Sequence, residues 1–223
     1  MRKIIFPILL GIAGCAVLIA LGVWQVQRLA WKENILHEID TRLATAPAPL
    51  DLSMTEEADE YRRVTVTGTP TGEELHVLTS GTAAGTGYRV ISAFVTTDGD
   101  RIMVDQGLLP LDAKDAPPPT AEMDIIGTIL WPDDQTGSTP EPDLPKNIWF
   151  ARNIPAMAAA LDTAPIMVIV SDAIPPDPRV TPLPVTTANI KNDHLEYAIT
   201  WFLLAAVWAI MSLYLIIRTR KDP

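Results

Sequence analysis

Residues 4–26 read IIFPILLGIAGCAVLIALGVWQV, 23 positions that carry no charge and in which Gln25 is the one strongly polar side chain. As a helix rising 1.5 Å per residue, such a run crosses a hydrocarbon core of about 30 Å. Residues 195–217 read LEYAITWFLLAAVWAIMSLYLII, a second run of the same length whose only charge is Glu196. These two runs explain a composition that otherwise looks discordant. The chain has 223 residues, of which 48% are hydrophobic and 20% charged, with a net charge of −10; its mean hydropathy is nonetheless positive, at +0.19. The apolar excess is concentrated at the two ends.

Charge is partitioned too. Met1–Lys3 and Arg218–Pro223 hold five Lys/Arg and one acid, a net +4, while the stretch between them holds twelve Lys/Arg and twenty-six acids, a net −14. Basic residues flank membrane spans on the cytoplasmic side, so both termini are expected in the cytoplasm and the middle of the chain outside it. Arg28, Lys32 and Lys191 oppose this bias without reversing it. A strongly acidic middle argues against a nucleic-acid binder, which needs a basic face. The single Cys15 excludes a disulfide framework, a cysteine-based zinc site and an iron–sulfur cluster, and His37, His76 and His194 are too scattered to form a metal-ligand pattern.

The N-terminal run admits other readings. Ile12-Ala13-Gly14-Cys15 has the look of a lipoprotein cleavage box, but the residues after Cys15 stay apolar where a lipidated mature terminus would turn polar. No small-x-small site is followed by a polar start, which argues against a cleaved signal peptide. No Arg- and Ser-rich presequence precedes the run, which argues against mitochondrial import. An uncleaved anchor in a bacterial inner membrane is expected, with Cys15 as a small apolar helix residue.

Between the spans, Leu29, Leu36, Ile39 and Leu43 fall on one helical face, so a helical extension over 27–45 is expected to continue the first span up to Pro47. Ala46–Pro49 and the acidic Glu56–Glu60 read as a linker. The period then changes to two. Short strands are expected at Arg63–Thr69, Leu75–Leu78, Tyr88–Val95, Arg101–Gly107, Met123–Leu130, Ile148–Asn153 and Ile166–Ser171, with a short helix at Pro155–Leu161. Asp98-Gly99 marks a hairpin turn. The Pro-rich segments 117–119, 140–145 and 175–184 are expected to be loops. The predicted fold is therefore α+β: a membrane protein with transmembrane helices at 4–26 and 195–217 flanking one small antiparallel β-barrel or sandwich within 27–193.

That middle region shows little catalytic chemistry. It has neither a Gly-x-Ser-x-Gly elbow nor a phosphate loop; Gly81–Gly87 leads into a strand rather than a helix, so a hairpin is expected there. The acids read as a solvated face, and His37 and His76 as surface residues. His194 stands apart because it adjoins the second span. On a helix beginning there, His194, Tyr197 and Trp201 share a face. A neutral imidazole beside a hydrocarbon-lined groove can ligate haem iron; it can equally serve as an interfacial hydrogen-bonding group, with Tyr197 and Trp201 as belt anchors. Trp24 and Gln25 admit the same two readings, belt or pocket lining. Gln25 in apolar surroundings needs a partner, which favours a helix–helix contact at that point.

These residues also carry a resemblance. Leu21-Gly22-Val23-Trp24-Gln25-Val26-Gln27-Arg28 with Trp31-Lys32 resembles the first-helix signature of the Surfeit locus protein 1 family. Asn192-Asp193-His194-Leu195-Glu196-Tyr197-Ala198-Ile199-Thr200-Trp201-Phe202 resembles its second-helix signature. Tyr61–Gly68 and Gly87–Ile91 are similar to the start of its outer domain. Two loop-like segments depart from the family pattern. Asp105-Gln106-Gly107-Leu108-Leu109-Pro110 stands where Asn-Arg-Gly-Trp followed by Pro is common, and Pro140-Glu141-Pro142-Asp143 replaces a Pro-x-Asn-Asp region.

The resemblance implies an assembly factor for haem-copper cytochrome c oxidase, not an enzyme, that binds haem a and assists its insertion into subunit I. It implies His194 as the axial ligand to the haem iron, with Trp24 and Tyr197 packing on the macrocycle and Gln25 and Trp201 lining the pocket. The implied partners are oxidase subunit I, haem a synthase and the lipid bilayer. A membrane scaffold that stabilises subunit I without touching haem is the competing expectation.

Overall fold

The computed structural model describes residues 2–82, 84–188 and 190–221. Met1, Ala83, Asn189, Asp222 and Pro223 lie outside the described residues; they include one acid of the expected basic fringe and one residue of the Gly81–Gly87 segment. In chain order the elements are α1 (Arg2–Ala44), β1 (Ala48–Pro49), α2 (Glu56–Asp59), β2 (Arg63–Thr82), β3 (Gly85–Thr96), β4 (Arg101–Pro110), β5 (Met123–Ile129), β6 (Ile148–Trp149), α3 (Ile154–Leu161), β7 (Met167–Ile174) and α4 (His194–Lys221). They form two compact units, Met1–Glu38 with Thr187–Pro223, and Ile39–Thr186.

The first unit is a helix pair. A core helix of a soluble protein is mostly buried, whereas only 11% and 6% of the most apolar windows of these two helices are; the remainder presents Leu, Ile, Val, Phe and Trp outward, as a lipid-facing surface does. The contact face uses small residues. A Cβ at Gly11 would lie 2.9 Å from Ser212, one at Gly14 2.2 Å from the Trp208 ring, and one at Gly22 2.7 Å from Phe202. The partners of α1 thus run backwards along α4, so the helices are antiparallel. Gly11, Gly14, Cys15, Leu18, Leu21, Gly22 and Gln25 are the buried or half-buried positions of α1 through this stretch. Their recurrence at spacings of three and four is the seam of a closely packed helix pair. Trp208 Nε1 donates to the Gly11 carbonyl at 3.2 Å. Ala198 and Ala205 are buried on α4.

The second unit is a closed five-stranded barrel. Its neighbours run β2-β3-β4-β7-β5, and β5 returns to pair with β2. A ring of five strands must contain an even number of antiparallel pairs, so at least one pair is parallel. Here it is β4 with β7, Val104 opposite Val168, and the other four pairs are antiparallel. The expected small antiparallel barrel or sandwich is thus a barrel, antiparallel at every pair of the ring but β4–β7.

Closure depends on β2. The two short strands expected at 63–69 and 75–78 are one strand, irregular between Pro70 and Glu74. Its first half pairs with β5 and its second half with β3, and the change occurs at Gly68, which is opposite both Met123 and Thr96. A Cβ there would lie 2.2 Å from the Val95 carbonyl oxygen, so only glycine lets the chains cross so closely.

Alternation along the strands separates two apolar layers. Val64, Val66, Phe94, Ile102, Val104, Ile125, Val168 and Val170 fill the interior. Met103, Ile91, Met167 and Ile169 face the other way, under Trp149 of β6 and Met157 and Leu161 of α3. Being buried on both faces, β4 lacks the polar alternation of an ordinary edge. Helix α3 begins where Asn153 accepts from the Ala156 N–H at 3.0 Å. The Asp98-Gly99 turn joins β3 to β4 with Gly99 at φ 90°, and the Gly-rich 81–87 segment is the β2–β3 hairpin.

Several expectations change. Residues 148–153 form a strand only at Ile148–Trp149. The expected linker contains β1, which pairs with β2 in parallel, and the short helix α2. The strand expected at Arg101–Gly107 runs on to Pro110, so the segment 105–110 that departs from the family pattern lies within β4. His76, expected at the surface, is buried.

Candidate functional site

Gln25 is 9% exposed on the contact face of α1, six turns into the apolar run. A buried amide left without a partner costs about 1–3 kcal/mol. Its Oε1 lies 2.7 Å from Nδ1 of His194, across the helix pair. An amide oxygen has lone pairs only, so it accepts, and the proton of the bond is on Nδ1. His194 is the first residue of α4, half-buried, and the helix starts as the Tyr197 N–H reaches the Asp193 carbonyl at 3.1 Å. Ala198, one turn on and 2% exposed, is small enough for the helices to close, and Trp201 follows half-buried on the same side.

The structure therefore brings Gln25 and His194 into direct contact and leaves Trp201 on the seam below them. It does not bring the other two expected residues into the seam: Trp24 is 54% and Tyr197 55% exposed. Around this end lie groups to which the sequence assigned no part in the site. Lys32 Nζ donates to the Lys191 carbonyl, Lys191 pairs with Asp193, and the Arg28 guanidinium lies 3.7 Å over the Trp31 ring. Asn192 keeps a buried Oδ1 with no hydrogen-bond partner. The Arg28/Lys32 spacing of four was visible as a shared helix face; nothing in the sequence marks the environment of Asn192.

The barrel unit has a different polar centre. Asp105 is fully buried, with Arg89 Nε at 3.3 Å and Arg152 Nη1 at 3.6 Å from its Oδ2. Arg152 Nε also donates to Asp134 Oδ2 at 2.6 Å. Burial pushes the Asp105 carboxyl above its ordinary range, against the pull of the two guanidinium groups. Two carboxyl groups thus face two guanidinium groups within this cluster. Arg152 lines a cleft of about 500 Å³ with Trp131, Gln135, Asn153 and Ile154. Among the described residues no group of three or more His, Cys, Asp or Glu side chains could hold a metal ion.

Fold and helix pair define a class: a protein with two candidate membrane spans enclosing, in sequence, a five-stranded β-barrel. The SURF1 family profile matches residues 12–206. The chain is 30% identical to Surfeit locus protein 1 of Homo sapiens over 213 residues, which cover 83% of this chain and 69% of that one. It is 30% identical to the SURF1-like protein of Drosophila melanogaster over 215 residues, 83% and 69% of the two chains. It is also 30% identical to Surfeit locus protein 1 of Takifugu rubripes over 219 residues, 86% and 89%. The chain belongs to the SURF1 family, which is generally one of cytochrome c oxidase assembly factors.

Proposed function

We propose that this chain binds haem a through His194 and assists its insertion into subunit I of cytochrome c oxidase, as a carrier and not a catalyst. The observation that carries the reading is the placement of His194. A half-buried imidazole stands at the first turn of the second span, on the contact face of the pair, with Nδ1 engaged by Gln25. Haem iron needs only one such nitrogen from a carrier, so the donor set present fits the group. When bound, haem a would supply a redox-active iron and a strong visible absorbance. His194 would hold the iron, Trp201 would line the apolar side, and Arg28 and Lys32, near the same end of the pair, would balance propionates. Trp24 and Tyr197, exposed on the same helices, would contact the macrocycle or lipid headgroups.

The proposed setting is the bacterial inner membrane, with both termini in the cytoplasm and the barrel outside, a reading supported by the basic fringe. Subunit I and haem a synthase are the proposed partners. The test is haem content and absorbance of the protein purified from cells that make haem a. His194→Ala is expected to lose or shift the haem spectrum. An unchanged spectrum would overturn the ligand assignment, and a wild-type protein colourless with and without haem a synthesis would instead support a haem-free scaffold for subunit I.

A further inference from the structure

We propose that Gln25 is a positioning residue: its side-chain oxygen holds His194 in the Nδ1–H tautomer and so reserves the Nε2 lone pair for a metal. This rests on the haem reading above and assigns to Gln25 a role that involves no contact with the macrocycle. A neutral imidazole has one N–H and one lone pair, and a hydrogen bond at either nitrogen decides which is which. The acceptor here is an amide oxygen 2.7 Å from Nδ1, so the donor is Nδ1 and the free lone pair is on Nε2. Among the described residues no hydrogen bond occupies that nitrogen. A reversed amide, donating its NH₂ to Nδ1, would put the proton on Nε2 and abolish the ligand, which makes the tautomer a decisive readout.

Two features suit this role. Gln25 is itself buried and belongs to the other helix, so it fixes the ring from across the pair rather than through the first, frayable turn of α4. The acceptor is also a neutral amide and not a carboxylate. A carboxylate would draw the Nδ1 proton, push charge onto Nε2 and strengthen its bond to iron. An amide orients the ring while leaving a ligand of ordinary strength, as a carrier that must give up its cargo requires.

The experiment uses the full chain in detergent or nanodiscs with ¹⁵N-labelled histidine. The protein is prepared without haem, and His194→Ala identifies the His194 signals. The wild type is expected to show the Nδ1–H tautomer. Gln25→Leu is expected to shift His194 towards Nε2–H, the tautomer favoured by unconstrained imidazole, and to weaken binding of added haem a by about 10–100-fold. Gln25→Glu keeps the size and the acceptor; it should retain Nδ1–H, restore binding and move the haem to a lower reduction potential. Nε2–H in the wild type, or an unchanged tautomer in Gln25→Leu, overturns the proposal whatever the haem data say. The expected tautomers together with no haem uptake by the wild type overturn the haem reading, and with it the purpose assigned to the bond, a failure distinct from a wrong tautomer.

Discussion

Glu74 shows how much one side chain can hold. Its carboxylate accepts from Arg179 Nη1 at 3.1 Å and Nη2 at 2.9 Å, and lies 3.0 Å from His76 Nε2. Arg179 is bonded in turn to Asp177 and to the Ala116 carbonyl, tying the Pro-rich 175–184 segment to β2. Burial alone would raise the Glu74 carboxyl, but hydrogen bonds from His76 and Arg179 and the Arg179 charge hold it below the usual 4.5. A carboxyl whose folded pKa is depressed contributes stability that is complete above the unfolded value and is lost as pH falls through the folded one. Thermal melts should therefore show the midpoint falling below about pH 4.5, with the acid slope reduced in Glu74→Gln. At neutral pH that variant should be destabilised by about 3 kcal/mol, since it leaves a buried guanidinium short of charge.

Asp105 makes the same point at a fully buried position. Here the carboxylate neutralises Arg89 and Arg152, whose side chains are only 14% and 12% exposed. Asp105→Asn should cost about 3 kcal/mol or more by chemical denaturation, because two buried cations lose their shared partner. An unchanged midpoint would show that Asp134 suffices.

At the scale of elements, the helix pair depends on close approach. Cys15 Sγ lies 3.9 Å from the Ala205 carbonyl, so Ala205→Cys should form a disulfide with Cys15 on oxidation. Adding Gly14→Ile or Gly22→Ile should lower the crosslink yield on a non-reducing gel, since the new Cβ would meet Trp208 or Phe202 at under 3 Å. The spans and the helical extension were legible from hydropathy and from the 29/36/39/43 spacing, because both are properties of one helix. The need of Gln25 for a partner was legible as well. The partner was not, because it lies 169 positions away and depends on how α4 is set along α1. Trp24 was grouped with His194 by its place at the outer end of the first span and Tyr197 by its spacing of three on the same helix, but the seam runs through His194, Ala198 and Trp201, and both Trp24 and Tyr197 are exposed.

At the scale of the molecule, the barrel has its own interior and its own outer layer under α3, both within Ile39–Thr186. A fragment 39–186 should accordingly fold alone, with β-type circular dichroism and one cooperative transition. It should take up no haem a, because both Gln25 and His194 are missing. A fragment that melts without cooperativity would show that the helix pair is needed for the barrel.

Sequence alone determined the two apolar runs, the charge difference between ends and middle, the Asp98-Gly99 turn and most of the strand positions. These follow from hydropathy, net charge and side-chain period, which are set by residues adjacent in the chain. Tertiary structure decided that β2 is one strand serving two neighbours across Gly68, that β4 and β7 run parallel, that Asp105 holds two arginines, and that Gln25 meets His194. Each of these is a pairing between distant residues, fixed by which surfaces pack and in what register, and a local pattern carries no record of its distant partner.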